Sequence, residues 1–102
     1  MFQARMIRRI EELKALYPVE VMMNASPEVV EEATRKHQEI LDEELWSNSQ
    51  VCELYNISRQ NLNNIARRHA IPGRIKFANA VFYMVEFAKP WFDSYVARNG
   101  GK

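Results

Sequence analysis

Apolar residues recur at Phe2, Met6, Ile10, Leu13 and Tyr17. Spacings of three and four predict an amphipathic helix over residues 2–17, with Arg8 and Glu12 on its wet side. Pro18 ends it. Residues 19–23, VEVMM, read as a short extended stretch, either a strand or an apolar linker, and its Val and Met side chains are expected to be covered. Ser26-Pro27-Glu28 then gives a cap, a proline at the first helical position and an acid in the first turn. The helix it starts is expected to reach about Leu45, with Val30, Ala33, His37, Ile40, Leu41 and Leu45 lining one side.

Residues 47–69 carry the sharpest pattern. Ser47 and Gln50 have the spacing of a capping box, and Trp46 and Val51 that of a hydrophobic staple. Val51, Leu54 and Tyr55 form one apolar face, and Cys52 is small enough for a close helix crossing. Asn56 tolerates the left-handed conformation that ends helices, Ile57 fills the turn, and Ser58 is a second N-cap. In the helix that follows, 59–69, Leu62, Ile65 and Ala66 face inward. Arg59, Gln60, Asn63, Asn64 and Arg67 are left outside. Arginine pairs bidentately with guanine, and asparagine or glutamine with adenine, so these residue types suit the reading of base edges. An ordinary solvated face mixes acids with bases. Here no Asp or Glu occurs between Glu53 and Glu86, while Arg59, Arg67, Arg68, Arg74 and Lys76 all fall in that span. His69 closes the helix, either as a DNA contact or as a plain C-terminal residue favoured by the helix dipole.

Residues 70–73, AIPG, form a turn. Arg74-Ile75-Lys76-Phe77 alternates basic and apolar, as a half-buried strand does. Residues 78–80 suit a three-residue hairpin loop with Asn79 at positive φ, and 81–83 return. In this small wing Arg74 and Lys76 are expected to point outward at phosphates; two charges that protect an edge strand from aggregation are the alternative. Pro90 is expected to start a last helix whose Trp91, Phe92 and Tyr95 pack back under the wing. The tail at 99–102 is expected to fray.

Charge divides the chain. Residues 1–46 carry a net −4 and residues 47–102 a net +5, which together make the formal +1. An acidic half joined to a basic half suggests that one meets a polyanion and the other protein or water. At 102 residues and 47% hydrophobic, the chain holds one small domain with an extension. No apolar run has membrane-spanning length, no signal-peptide pattern is present, and the lone Cys52 fits a reducing cytoplasm. The carboxylates of residues 28–44 stand near His37 without any H-x-x-x-H or Cys/His pair, so a solvated acidic face accounts for them better than a metal site. With no nucleophile–base pair and no phosphate-binding glycine loop either, neither an enzyme nor a cofactor is expected.

The stretch S-N-S-Q-V-C-E-L-Y-N-I-S-R-Q-N-L resembles the excisionase-type, MerR-like winged helix-turn-helix family, whose members often read close to T-x-x-E-A-A-E-L-L-G-I-S-R-x-T-L. Ser47 and Gln50 take the capping positions, Val51 and Cys52 the small pair, Asn56 the turn glycine, and Ile57, Ser58 and Arg59 match directly. Ile71-Pro72, the two strand segments and Trp91 continue the order, so the likeness covers about residues 46–96. It implies DNA binding through the second helix and the wing, by dimers or adjacent copies. Phe82-Tyr83 and Trp91-Phe92 are also similar to the DNA-binding domain of lambda-like phage terminase small subunits. Residues 26–60 resemble small regulators found beside toxins.

The expectation is therefore a mainly α protein: a small winged helix-turn-helix with a short β-hairpin (46–98), preceded by two N-terminal helices (1–45) that dimerise or hold a partner. It would be a cytoplasmic, nucleoid-associated homodimer that binds double-stranded DNA sequence-specifically with helix 59–69, as a transcription or mobile-element regulator. DNA contacts are expected from Arg59, Gln60, Asn63, Asn64, Arg67, Arg68, Arg74 and Lys76. The alternatives are a phage DNA-packaging protein or a protein-interaction adaptor acting through 1–45.

Overall fold

A computed structural model describes residues 3–99. Phe2, placed on the first stripe, and the tail from Gly100 onward lie outside the described residues. The described chain is mainly helical, with six helices and one three-stranded antiparallel sheet. It divides after Glu44 into two compact units.

The first unit is an antiparallel pair of helices, α1 (Arg5–Leu16) and α3 (Pro27–Glu44), joined through the one-turn helix α2 (Val19–Met22). Leu13 of α1 and Ala33 and Ile40 of α3 are buried. Polar pairs fix the register. Tyr17 donates to Glu32 Oε1 at 2.9 Å near the turn, and Glu44 is held by Arg5 and Arg9 at the open end. The segment expected to be extended is instead α2. Pro18, at φ −66°, serves as its N-cap, and its carbonyl accepts from the amides of Val21 and Met22. Most of its apolar side chains are not covered: Val19 is 66% and Met23 79% exposed, while Met22 is half-buried. Val30 and Leu41, expected inside, are also exposed.

Glu44 departs most from the expected solvated acidic face. Its side chain is only 4% exposed. Arg5 Nε lies 2.8–2.9 Å from both carboxylate oxygens, and Arg9 Nη1 donates to Oε2 at 2.8 Å. Arg9 also reaches Glu43 at 2.6 Å, so Arg5 and Arg9 rather than Arg8 carry the pairing of α1. The Arg5 guanidinium, helped by Arg9 and opposed by burial, holds the Glu44 carboxyl below the usual glutamate range.

The second unit begins with β1 (Leu45–Ser47), a strand the sequence pattern did not suggest. Two helices follow, α4 (Asn48–Tyr55) and α5 (Arg59–Arg68), then β2 (Arg74–Phe77), β3 (Ala80–Met84) and α6 (Val85–Asn99). The strand order is β1-β3-β2, so β3 pairs on both edges. Gly73 launches β2 at φ +83°, where a Cβ would stand 2.9 Å from the Met84 carbonyl oxygen. Val51, Ile57, Leu62, Ile65, Ile71, Tyr83, Ala88, Phe92 and Tyr95 form one core. Tyr83 joins most of its parts. It is 1% exposed, pairs with Trp46 and Arg74 across the sheet, packs edge-on to Phe92 at 5.6 Å, and donates its hydroxyl to Asn48 Oδ1 at 2.9 Å.

Five details of this unit differ from expectation. The hairpin turn is two residues long, and Ala78 rather than Asn79 takes positive φ, at 54°. All four residues of β2 are exposed, because β2 is a sheet edge beyond the reach of the core. Leu54 is exposed, since Val51, Cys52 and the half-buried Tyr55 form the inner face of α4. Pro90 lies inside α6 instead of starting it: Ala88, Phe92 and Tyr95, spaced four and three, bury one continuous face across the proline. Asn99, assigned to the tail, is the last residue of that helix, with Nδ2 donating to the Tyr95 carbonyl.

Two stability predictions follow from these contacts. Glu44 has a lowered folded pKa, so its contribution is complete above the unfolded value of about 4.3 and is lost as pH falls through the folded value. Thermal melts followed by circular dichroism between pH 7 and pH 2.5 are expected to show a steeper acid loss for the wild type than for Glu44→Gln. Equal slopes would remove Glu44 as a source of acid sensitivity. Tyr83→Phe leaves the ring and deletes the bond to Asn48, and urea titration is expected to show a loss of about 0.5–1.5 kcal/mol.

Candidate nucleic-acid interface

The helix, turn and helix of residues 47–68 are fixed by their caps. Ser47 Oγ accepts from the Gln50 amide at 3.2 Å and Gln50 Oε1 accepts from the Ser47 amide at 2.8 Å, so both halves of the capping box are present. Asn56 adopts the left-handed conformation at φ 52°, ψ 50°. This turns the buried Ile57 inward, and its amide donates back to the Cys52 carbonyl at 2.9 Å. Ser58 Oγ caps α5 through the Asn61 amide at 3.0 Å. Half-buried Trp46 and Cys52 pack against the same core.

Burial of Leu62 and Ile65 fixes the rotation of α5. Arg59, Gln60, Asn63, Arg67 and Arg68 are consequently exposed. Arg59, Asn63 and Arg67 recur at intervals of four, one above another on the helix surface. Asn64 differs from its neighbours. It is half-buried, its Oδ1 accepts from Arg67 Nη2 at 2.6 Å, and its carbonyl lies 3.5 Å from Arg68 Nε. Its side-chain oxygen is taken up by the Arg67 guanidinium. Arg59 Nη2 donates to Ser49 Oγ at 3.0 Å, tying the start of α5 to the first turn of α4. Ser49 was not anticipated, because that contact depends on how the two helices cross.

Strand register corrects the expected outward aim of Arg74 and Lys76. Residues opposite each other in an antiparallel pair share a face. Arg74 opposes Tyr83 and Lys76 opposes Val81, so both cations lie on the face that carries Tyr83. Burial pushes the Tyr83 hydroxyl up, while the nearby Arg74 guanidinium works the other way. Both cations remain solvent-exposed. Ile75 and Phe77 occupy the opposite face.

The aromatic residues of α6 form a lid on the core. Phe92 is fully buried, Trp91 stacks on Tyr95 at 5.2 Å, and the His69 ring rests against both Trp91 and Tyr95 at 5.6–5.7 Å. Tyr55 stacks on Phe92 and donates to Asp93 Oδ1 at 2.6 Å; burial and that acceptor push its pKa well up. In the first unit, His37 Nδ1 is engaged with the Ala33 carbonyl of its own helix at 2.7 Å. Among the described residues no group of three or more His, Cys, Asp and Glu side chains is placed to hold a metal ion. None of the described helices is long and apolar enough to cross a membrane.

No family model, curated protein or solved structure matches this chain.

Proposed function

We propose that the unit following Glu44 is a winged helix-turn-helix that binds double-stranded DNA, and that the protein is a small transcription or mobile-element regulator. In this reading α5 lies in the major groove, and the β2–β3 hairpin is the wing. Arg59, Gln60, Asn63 and Arg67 meet base edges, with Asn64 holding Arg67 in place. Arg68, Arg74 and Lys76 supply attraction to phosphates. The observation that carries this reading is the exposed face of α5. It presents amide and guanidinium side chains on a rigidly capped helix, within a span of sequence that contains no acid. Such a surface attracts a polyanion and holds the groups that discriminate bases.

One observation favours a second component. Leu16, Val19, Val21 and Met23 are each at least half exposed within the first unit. Exposed apolar side chains this close together suit a contact with another chain. We assign it to a second copy, which would give a homodimer reading two half-sites about one helical turn or a multiple apart. An adaptor or a packaging protein would use the same strip for a different partner.

The test is a fluorescence anisotropy titration of duplexes selected from a random pool, repeated over a salt series. Log K is expected to fall against log salt with a slope of about −3 to −6. Arg59→Ala and Asn63→Ala should each cost about 1–3 kcal/mol on the selected sequence and relax one base position. Lys76→Ala should weaken every sequence alike and reduce the slope by about 1. Equal losses for Arg59→Ala and Lys76→Ala on all sequences would refute base reading by α5. Absence of binding at low salt would refute the DNA reading altogether. In sedimentation, Val19→Glu combined with Met23→Glu should turn a dimer into a monomer.

A further inference from the structure

The hairpin carries an aromatic ring that the core does not use. Residues 74–80 are all exposed. Phe77, the last residue of β2, is 73% exposed. It pairs with Ala80 across the two-residue turn Ala78-Asn79. Its neighbours at the tip are small, so the ring is the one bulky group there. A phenylalanine left in water gives up most of the gain its burial would bring. Nothing in the packing of the second unit requires it at this position.

The charge of the hairpin narrows what would cover the ring. Lys76 and Arg74 stand on the opposite face of the same two-stranded ribbon, and no acid lies nearer in sequence than Glu53 and Glu86. A second copy docking hairpin to hairpin would bring like charges together. A duplex offers phosphates to the cations and a stacked, apolar interior to the ring.

We propose that Phe77 is a wedge. When α5 engages DNA, the hairpin tip enters the adjacent minor groove and the Phe77 ring inserts between two base pairs, unstacking that step and kinking the duplex. This rests on the DNA-binding reading above and extends it from groove recognition to DNA deformation. Apolar side chains inserted from the minor groove kink duplexes by about 20–90°. The groove is about 6 Å wide, which favours a tip built from Ala78, Asn79 and Ala80 over one with larger side chains. Pyrimidine–purine steps unstack most readily, so the wedge gives a preference for TA or CA steps at a position that α5 does not touch.

The experiment uses the full chain and a duplex about three helical turns long, selected from a random pool. One set of duplexes carries a donor and an acceptor dye at its ends; another carries 2-aminopurine at each adenine in turn. Wild type is expected to raise energy transfer, and to raise 2-aminopurine fluorescence at one step or two adjacent steps. Because Phe77 is exposed, Phe77→Ala should keep the wild-type melting temperature. It should lose both signals while weakening binding by only about tenfold. Phe77→Leu should retain part of the kink. Wild-type binding without a kink would overturn the wedge and leave the α5 reading standing, and so would the same kink in Phe77→Ala. If wild type binds no member of the pool, the DNA reading falls and the wedge with it. If Phe77→Ala changes a dimer into a monomer and leaves the DNA signals intact, the exposed ring belongs to an interface between copies, and the wedge is wrong.

Discussion

The second unit depends on how Tyr83 is held. Its backbone lies in the central strand, flanked by β1 and β2. Its ring packs against Phe92 of α6, and its hydroxyl reaches Asn48 at the first position of α4. A buried phenol without an acceptor would be costly, and Asn48 supplies one. That bond also sets where α4 begins relative to the sheet. Ser49, the next residue, receives Arg59 from α5. The placement of the cationic helix thus traces back through α4 to one buried side chain.

The first unit is built on a different principle. Its helices bury few apolar side chains, and its most buried charged residue, Glu44, is held by two arginines from the facing helix. Arg5 and Arg9 keep substantial access to water, while the Glu44 side chain is only 4% exposed. Ion pairs of this kind set register more than they add stability. The other carboxylates of α3 stay at the surface, where they give this unit a sign opposite to that of the cationic face. The exposed apolar side chains of this unit, Leu16, Val19, Val21 and Met23, lie outside that acidic helix.

What the sequence made legible was mostly local. The capping box at Ser47 and Gln50, the left-handed Asn56, the cap at Ser58 and the inward Leu62 and Ile65 depend on neighbours within four positions. What was not legible required pairing across the chain. The strand β1 exists because residues 45–47 meet residues 82–84, and three residues carry too short a pattern to announce a strand. The same pairing shows that Arg74 shares a face with Tyr83, which alternation within β2 alone could not reveal. Pro90 suggested a helix start because proline is favoured there. The burial of Ala88 on one side and Phe92 on the other outweighed that preference. Within the candidate site, the exposed set on α5 was readable from its period. The capture of Asn64 by Arg67 was not, because it depends on rotamers.

In the proposed function the two units do separate work: a capped helix and an exposed hairpin meet DNA, and an acidic helix pair holds copies together. The most direct measurement is a two-dimensional amide NMR titration of the full chain with the selected duplex. Shifts are expected to concentrate in residues 47–49, 59–68 and 74–80, with the amides of residues 28–44 unmoved. Shifts concentrated in α3, or none that saturate with added duplex, would contradict the proposed function.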